Sequence, residues 1–288
     1  MKDIKGIILD VDGVIVGEKI GFNSPDPNIE VINKLKEIKA KGIAISLCTA
    51  KPQFSIKSII DAAGLDNFHI TDGGGVIIDS LNNEIRKKHV IDKELAIKAL
   101  KLCLENGIYT ECYTVNDYYI QGNQVSDITK KHIHILQKDP IIVKDLISES
   151  INCDITKIMP IALDNEDKIR VIELFGKSNI ELDLSWGIHP VALPLQFGIV
   201  TAPGITKKQG AIEISKGVNV PLENILAVGD STSDWQFISL CGYGAAMGNA
   251  SQELKDLVKS KGKENAYIGG HVDENGILEI LNHFENKM

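Results

Sequence analysis

The chain has 288 residues, of which 43% are hydrophobic and 24% are charged, so it can bury one large core or two smaller ones. Its formal net charge of -8, without a basic block, argues against binding dominated by nucleic-acid phosphates or acidic lipid. The five cysteines include no CxxC pair, and no apolar stretch is long enough to span a bilayer, so we expect a cytoplasmic protein with reduced thiols.

The N-terminal third predicts an alternation of buried strands and amphipathic helices. Lys5 to Leu9 is an apolar run typical of a buried parallel strand. A helix is predicted over Asn28 to Lys41, because apolar residues recur at helical spacing between Pro27 and Gly42. The next predicted strand and helix are Ile43 to Cys48 and Pro52 to Ala63.

The same alternation returns near the C-terminus. The predicted strands there are Phe197 to Thr201, Ile225 to Gly229 and Gly242 to Met247, and the predicted helices are Lys207 to Lys216, Ser233 to Leu240 and Gln252 to Lys259. Strands that alternate with helices indicate right-handed parallel crossovers. The sequence therefore predicts an α/β fold with a Rossmann-like parallel sheet core.

Between these halves the pattern changes. TECYTVNDYYIQG predicts a hairpin around Asn116 and Asp117, and the segments KHIHIL and KIMPIALD alternate apolar and polar residues as strands do. We therefore predict an inserted α+β cap domain over residues 83–194, between core segments 1–82 and 195–288.

Two carboxylates follow the first predicted strand. They are Asp10 and Asp12 in ILDVDGV, and Gly13 behind them allows the backbone to approach a ligand closely. An open parallel sheet places its functional residues just beyond the carboxyl ends of its strands, so these acids are candidate catalytic residues. The same stretch is also typical of a plain turn.

Three further features follow other predicted strands or begin helices. The hydroxyl of Thr49 and the adjacent N–H of Ala50 suit a phosphate oxygen, although Thr49 also suits a helix cap. Lys207 is a cation at a helix start, where a solvated surface charge is the alternative. Asp230 and Asp234 lie one helical turn apart and suit a hard cation, although Asp230 also suits a cap.

The order of these motifs resembles the haloacid dehalogenase-like phosphohydrolase superfamily, whose motifs run DxD, Ser/Thr, Lys and GDxxxD. AAMGNA at 245–250 and DENGILEIL near the C-terminus resemble its Cof-like branch, which has a large cap between the second and third motifs. The resemblance covers nearly the whole chain. It implies a magnesium-dependent phosphatase that acts on a small phosphorylated metabolite, a sugar phosphate or similar, through an aspartyl phosphate.

The resemblance also implies a role for each acid. Asp10 would attack phosphorus, and Asp12 would protonate the leaving oxygen and later deprotonate the hydrolytic water. Mg²⁺ would be held by Asp10, the main-chain carbonyl of Asp12 and Asp230, while Asp234 would orient the site or its waters.

The phosphate-binding residues implied by the resemblance include matches to the family pattern and several departures from it. Thr49, Lys207 and the backbone around Asp12 and Gly13 would neutralise the phosphoryl oxygens. The departures are Ser233, an auxiliary candidate in place of the usual asparagine, Ala50 and Lys51 in place of Gly-Arg, Lys208 in place of glycine, and Gly73 and Gly74 in place of Asn-Gly. The glycine triplet in TDGGGVIID indicates a tight turn into a hairpin.

Four other residues are weaker candidates for contact with a metal or substrate. His132 and His134 alternate on a predicted strand, where a polar face of the cap is the alternative. Trp186 and His189 lie near the return to the core and are candidates for substrate contact, although Trp186 is equally typical of a packing residue. The tyrosines of the hairpin are typical of packing, namely Tyr109, Tyr113, Tyr118 and Tyr119.

Two alternative functions remain open at this stage. A phosphomutase of the same superfamily would use the same acids but return the phosphate to the substrate. A non-catalytic protein that binds a phosphorylated metabolite would keep the fold without turnover.

Overall fold

The computed structural model describes residues 3–288. Its strands are β1 (Gly6–Leu9), β2 (Ala44–Leu47), β3 (Phe68–Thr71), β4 (Val76–Asp79), β5 (Glu84–Lys88), β6 (Tyr109–Tyr113), β7 (Tyr118–Gln121), β8 (Ile141–Val143), β9 (Lys157–Ala162), β10 (Asp183–Gly187), β11 (Gln196–Thr201), β12 (Ile225–Gly229), β13 (Tyr243–Ala246) and β14 (Ala266–Ile268). Its α-helices are α1 (Ile29–Ala40), α2 (Gln53–Ala63), α3 (Lys93–Glu105), α4 (Asp127–Leu136), α5 (Leu146–Asn152), α6 (Asn165–Lys177), α7 (Lys207–Gly217), α8 (Trp235–Ile238), α9 (Gln252–Lys259) and α10 (Ile277–His283).

A five-stranded parallel sheet in the order β14-β13-β12-β1-β2 forms the core. Along β1 the side chains alternate, so that Ile7 and Leu9 pack in one hydrophobic cluster and Ile8 packs in the other. The sheet is therefore buried on both faces, which explains why its strands appear in the sequence as continuous apolar runs. The predicted α/β fold with a parallel core sheet is confirmed.

Local sequence signals set the ends of several core helices. The side chain of Asn28 caps α1 by accepting a hydrogen bond from the N–H of Glu30. Gly64 ends α2 in the left-handed conformation, with φ 63°. The predicted helix over Ser233 to Leu240 is shorter in the structure, where a 3₁₀ turn at Thr232–Asp234 precedes α8.

The glycine triplet makes the predicted turn into a hairpin. It lies between β3 and β4, which pair in antiparallel fashion, and Gly73 has a positive φ of 66°. A parallel bridge between Cys48 and Ile70 connects this three-stranded sheet to the end of β2.

The inserted segment forms a six-stranded sheet in the order β10-β11-β9-β6-β7-β8. The predicted hairpin is present as the antiparallel pair β6 and β7, and the predicted strand in KIMPIALD is β9. KHIHIL was predicted as a strand, but it lies in α4, and that prediction is wrong. The buried positions of α4 have a helical spacing and are Thr129, His132, Ile135 and Leu136, and Ser126 forms a capping box with Thr129.

The predicted domain boundaries at residues 83 and 194 do not follow the sheets. The segment Phe197 to Thr201 was predicted as a core strand, but β11 pairs with β9 and β10 of the six-stranded sheet. An apolar run indicates burial but not which of two sheets buries it. β5 pairs with β4 and belongs with the core side of the chain. We therefore propose that the inserted domain, called the cap below, extends from about His89 to Thr201.

The two faces of the cap sheet pack differently. Leu100, Val171 and Phe175 belong to the cluster between one face and the helices α3, α5 and α6. On the other face Tyr118 stacks on Tyr113, with ring centroids 5.4 Å apart, and against the core residue Phe54 at 6.3 Å. The hairpin tyrosines on this face therefore pack the cap against the core, as predicted.

Two predictions about the whole chain can be compared with the described residues. All five cysteines are free, and Cys153 alone among them is not buried. Within residues 3–288, no helix combines the length and the apolar character needed to cross a membrane.

Candidate active site

Two parallel core strands bring the first acids to one edge of the sheet. Asp10 directly follows β1, and its N–H donates to the carbonyl of Val228 in β12 at 3.0 Å. Asp230 directly follows β12, so the two carboxylates lie beyond neighbouring carboxyl ends. Both residues are buried, and Oδ1 of Asp10 accepts a hydrogen bond from the N–H of Val11 at 2.7 Å.

Asp234 completes a cluster of three carboxylates. One oxygen each from Asp10, Asp230 and Asp234 lie within 4.8 Å of one another. Oδ2 of Asp234 accepts hydrogen bonds from the N–H groups of Asp230 and Ser231, each at 3.0 Å. These bonds fix Asp234 and the loop that carries Asp230.

Lys207, the first residue of α7, lies between two of these acids. Its Nζ is 2.7 Å from Oδ2 of Asp10 and 2.7 Å from Oδ1 of Asp234. Although burial lowers the pKa of Lys207, the charges of Asp10 and Asp234 outweigh it and hold that pKa above its usual value. The neighbouring Lys208 is exposed, so Lys207 is the lysine that the fold places among the carboxylates.

The charges of the cluster fit a divalent cation. Three carboxylates face one ammonium, which leaves two negative charges when all of them are ionised. Burial raises the pKa of Asp10 to about 7, against the opposing effect of Lys207, and burial together with the charges of Asp234 and Asp10 raises the pKa of Asp230 well above its usual value. Oxygen ligands of this kind are those that Mg²⁺ binds in proteins.

Gly13 allows the main chain to pass directly beside Asp230. Its φ is +76°, and a Cβ atom placed on it would lie 2.0 Å from Oδ2 of Asp230. A larger residue would displace the carboxylate, so this glycine is required by close approach and not only by the turn.

Asp12 contacts one cation from the core and one histidine from the cap. Its Oδ1 lies 3.0 Å from Nζ of Lys51 and 3.1 Å from Nε2 of His189. Burial raises the pKa of Asp12, but the charge of Lys51 and the contact with His189 outweigh it and hold the pKa below its usual range. Burial in turn lowers the pKa of His189.

The remaining predicted residues line a small cavity beside these acids. Its volume is about 40 Å³, and Thr49, Ala50 and Ser233 lie on its wall with Asp10 and Lys207. The N–H of Thr49 is occupied by the carbonyl of Ile70, while its hydroxyl accepts from the N–H of Lys51 at 3.1 Å. Ser233 Oγ lies 2.7 Å from Ser231 Oγ. The fold thus brings together all the acids, the lysine and the hydroxyls that the sequence singled out.

Two buried polar pairs near the site were not predicted. Lys157 of β9 lies 3.0 Å from Asp72 and donates to the carbonyl of Ala50 at 2.8 Å, and both ion-pair partners are fully buried. His132, a candidate metal ligand in the sequence, lies 2.7 Å from Glu111 of β6. A buried lysine at the start of an apolar strand leaves no local sequence signal, because its partner comes from the other domain.

A larger open groove of about 520 Å³ lies along α2 and β5, and none of the acids of the cluster lines it. We therefore assign the candidate active site to the carboxylate cluster and not to this larger groove.

Comparisons with known proteins identify relatives of the whole chain. The family model described as haloacid dehalogenase-like hydrolase matches residues 7–281. Phosphatase YwpJ of Bacillus subtilis is 24% identical and covers 97% of this chain and 99% of its own length. A solved HAD/COF-like hydrolase of Plasmodium vivax has a TM-score of 0.82 at 19% identity and covers 100% of this chain and 97% of its own. A solved sugar phosphatase of HAD subclass IIB has a TM-score of 0.77 at 23% identity, covering 98% and 99%.

Proposed function

The chain belongs to the haloacid dehalogenase-like hydrolase family as one of its phosphatases, and we propose that it hydrolyses a small phosphorylated metabolite through an aspartyl phosphate on Asp10. A sugar phosphate or similar compound is the proposed substrate class, and the cytoplasm the proposed location. One observation carries the proposal: Lys207 Nζ lies 2.7 Å from both Asp10 and Asp234, beside Asp230 and Asp12.

In the first half-reaction a carboxylate oxygen of Asp10 attacks phosphorus while the bond from phosphorus to the leaving oxygen breaks. Asp12 donates its proton to that oxygen. In the substrate-free site Lys51 and His189 favour the ionised form of Asp12. A phosphate ester bound beside Asp12 adds negative charge, which raises the pKa of Asp12 and favours the protonated form that this step needs.

In the second half-reaction Asp12 is ionised and accepts a proton from the water that attacks the aspartyl phosphate. Inorganic phosphate leaves, and the carboxylate of Asp10 is restored. Lys207 and the hydroxyl of Thr49 neutralise or bind phosphoryl oxygens during both steps, and most of the rate enhancement is expected from such fixed charges and dipoles.

The proposed metal is Mg²⁺, held by Asp10, Asp230 and the main-chain carbonyl of Asp12. Bound there, it would supply positive charge to the transferring phosphoryl group and keep the neighbouring carboxylates ionised. Both oxygens of Asp234 already accept hydrogen bonds, so Asp234 positions Lys207 and the loop of Asp230.

The proposal is tested by phosphate release from a panel of phosphomonoesters in Mg²⁺ and in excess chelator. We expect turnover only with Mg²⁺, and inhibition by Ca²⁺, whose larger and looser coordination disturbs in-line geometry. The variant Asp230→Ala should be inactive, whereas Asp256→Asn on the exposed face of α9 should behave as the wild type. Full activity in chelator would contradict the proposal, and isomerised product without free phosphate would favour a mutase.

A further inference from the structure

Three consecutive main-chain carbonyls in the loop after β2 accept hydrogen bonds from outside that loop. The carbonyls of Thr49 and Lys51 accept from main-chain N–H groups of the core turn at residues 72–73, at 3.0 and 2.9 Å. The middle carbonyl, that of Ala50, accepts instead from Nζ of Lys157 in the cap, at 2.8 Å. The core therefore holds both ends of this loop, and the cap holds its centre.

We infer that Lys157 is a positioning residue for phosphate binding. Through the carbonyl of Ala50 it holds the loop at residues 49–51 in the conformation that presents the Thr49 hydroxyl to a phosphoryl oxygen. The inference rests on the proposed phosphatase function, and it gives this cap residue a part in phosphate binding that does not depend on the leaving group.

The peptide group between Ala50 and Lys51 connects the cap lysine to the Thr49 hydroxyl. This peptide is trans, so its C=O and N–H bonds point in opposite directions. Nζ of Lys157 binds the C=O end, and the N–H at the other end donates to Oγ1 of Thr49 at 3.1 Å. A positive charge at the carbonyl also polarises the peptide and strengthens the hydrogen bond from its N–H. Lys157 therefore affects both the direction and the strength of the bond that Thr49 accepts.

That bond orients the Thr49 hydroxyl toward donation. A hydroxyl has one O–H donor and two acceptor lone pairs, and accepting a hydrogen bond leaves the donor free. Because Oγ1 of Thr49 accepts from the N–H of Lys51, its own O–H points away from that group. Thr49 lines the cavity beside Asp10 and Lys207, where a phosphoryl oxygen would be the acceptor.

Buried partners from both domains fix the ammonium of Lys157. The side chains of Lys157 and Asp72 are both fully buried, and Nζ lies 3.0 Å from Oδ1 of Asp72. Nζ also lies 3.8 Å from the ring centroid of Tyr113, the residue opposite Lys157 in the pairing of β6 with β9. These contacts hold the ammonium at the carbonyl of Ala50.

The alternative role for this ion pair is stabilisation alone, and substitutions at its two ends separate the two roles. Lys157→Met removes the donor to Ala50 and leaves Asp72 buried without its counter-charge. Asp72→Asn removes the counter-charge but keeps the donor, because a lysine amine donates whether or not it is charged. Asparagine also tolerates the positive φ of 51° at this position. The double variant Lys157→Met/Asp72→Asn removes the donor and both charges.

Stability and phosphate binding should follow different orders in these three variants. Each single substitution leaves one buried group unpaired, so urea unfolding should show both to be less stable than the wild type, and the double variant should recover part of that loss. Binding is measured in Mg²⁺ as the inhibition constant of inorganic phosphate against hydrolysis of acetyl phosphate. We expect this constant to rise roughly tenfold or more in Lys157→Met and in the double variant, the effect of one hydrogen bond from a charged donor, and to stay within about twofold in Asp72→Asn.

Two substrates separate positioning from a direct contact with the leaving group, because Lys157 also lines a cavity next to Asp12. The substrates are acetyl phosphate and the phosphomonoester of the panel that the wild type hydrolyses fastest. They share the phosphoryl group and differ in the leaving group. We expect kcat/KM in the double variant to fall by the same factor on both.

Three results would overturn the inference and leave the phosphatase function in place. They are an inhibition constant for phosphate that is unchanged in the double variant, a constant raised equally in Asp72→Asn, and a loss of kcat/KM confined to one of the two substrates. A wild type that hydrolyses neither acetyl phosphate nor any member of the panel would overturn the proposed function and the inference with it.

Discussion

His189 Nε2, from the cap, lies 3.1 Å from Oδ1 of Asp12, at the end of the first core strand. The Nδ1 atom of the same ring accepts a hydrogen bond from the N–H of Val191, so the ring proton is on Nε2, the nitrogen that lies close to Asp12. The cap thus supplies one of the two groups that hold the proposed acid–base residue in place.

Removal of this contact should affect proton transfer more than phosphoryl binding. In His189→Ala we expect kcat on an alkyl phosphate to fall roughly tenfold, about the value of one buried polar contact, with a smaller change on acetyl phosphate, whose leaving group needs no proton. Steady-state rates on both substrates measure the effect. His134→Ala, which changes a cap histidine that does not line the cavity beside Asp12, serves as the control, and an unchanged kcat in His189→Ala on both substrates would contradict a role through Asp12.

Substitution of the two adjacent lysines at the start of α7 should have very different effects on kcat/KM. Lys207→Met removes the ammonium that faces Asp10 and Asp234, so we expect kcat/KM to fall by roughly 10²- to 10³-fold or more. Lys208→Met changes an exposed side chain and should lie within about twofold of the wild type. Comparable activity in the two variants would contradict the assignment of Lys207.

Mg²⁺ should stabilise the protein more at high pH than at low pH. In the folded protein the pKa of Asp10 is about 7, above its ordinary value of 3.8, so protonation of Asp10 stabilises the metal-free fold. This stabilising contribution is fully present below about pH 4 and is lost as the pH rises to about 7. Bound cation would offset that loss. We expect the Mg²⁺-dependent rise in Tm to be larger at pH 8 than at pH 5 and to be much reduced in Asp230→Asn. A rise in Tm that is the same at both pH values would contradict this charge account.

A second pH effect should come from His69, which does not line the cavity at the carboxylate cluster. Burial lowers the pKa of His69 to about 4, and its Nδ1 accepts a hydrogen bond from the N–H of Leu47 at 3.0 Å. In the unfolded chain the His69 side chain is protonated as the pH falls below about 6.5, but in the folded protein only near pH 4. The contribution of neutral His69 to the free energy of unfolding is therefore fully present above pH 6.5 and is lost as the pH falls toward 4. The loss is roughly 3 kcal/mol at about 1.4 kcal/mol per unit.

Urea unfolding between pH 7 and pH 4 measures this slope. His69→Gln should be less stable at pH 7, and its free energy of unfolding should depend less on pH over this interval. An unchanged pH dependence in the variant would show that other groups cause the acid destabilisation.

The sequence predicted the core and the candidate residues because both depend on local patterns. Apolar runs ending at Asp10 and Asp230 give the parallel strands, and strand adjacency then brings the acids together. The prediction of a strand in KHIHIL was wrong because four alternating residues also suit a strand. In the structure the Ser126 capping box and the burial of Thr129 and His132 favour a helix.

The cap contacts were beyond prediction from a single sequence. The contact of His189 with Asp12 and that of Lys157 with Asp72 each join two domains far apart in the chain. No local pattern encodes how an inserted domain is oriented on its core. These contacts between the cap and the core therefore became visible only with the structure.

The division of labour between Asp10 and Asp12 is the central claim, and covalent labelling tests it most directly. Each variant, Asp10→Asn and Asp12→Asn, is mixed with acetyl phosphate and Mg²⁺, quenched rapidly and examined by intact-mass measurement. Asp12→Asn should lose turnover by roughly two to four orders of magnitude yet carry one added phosphoryl group that hydroxylamine removes, while Asp10→Asn should carry none. A label that persists in Asp10→Asn and is absent from Asp12→Asn would contradict the account by reversing the two roles.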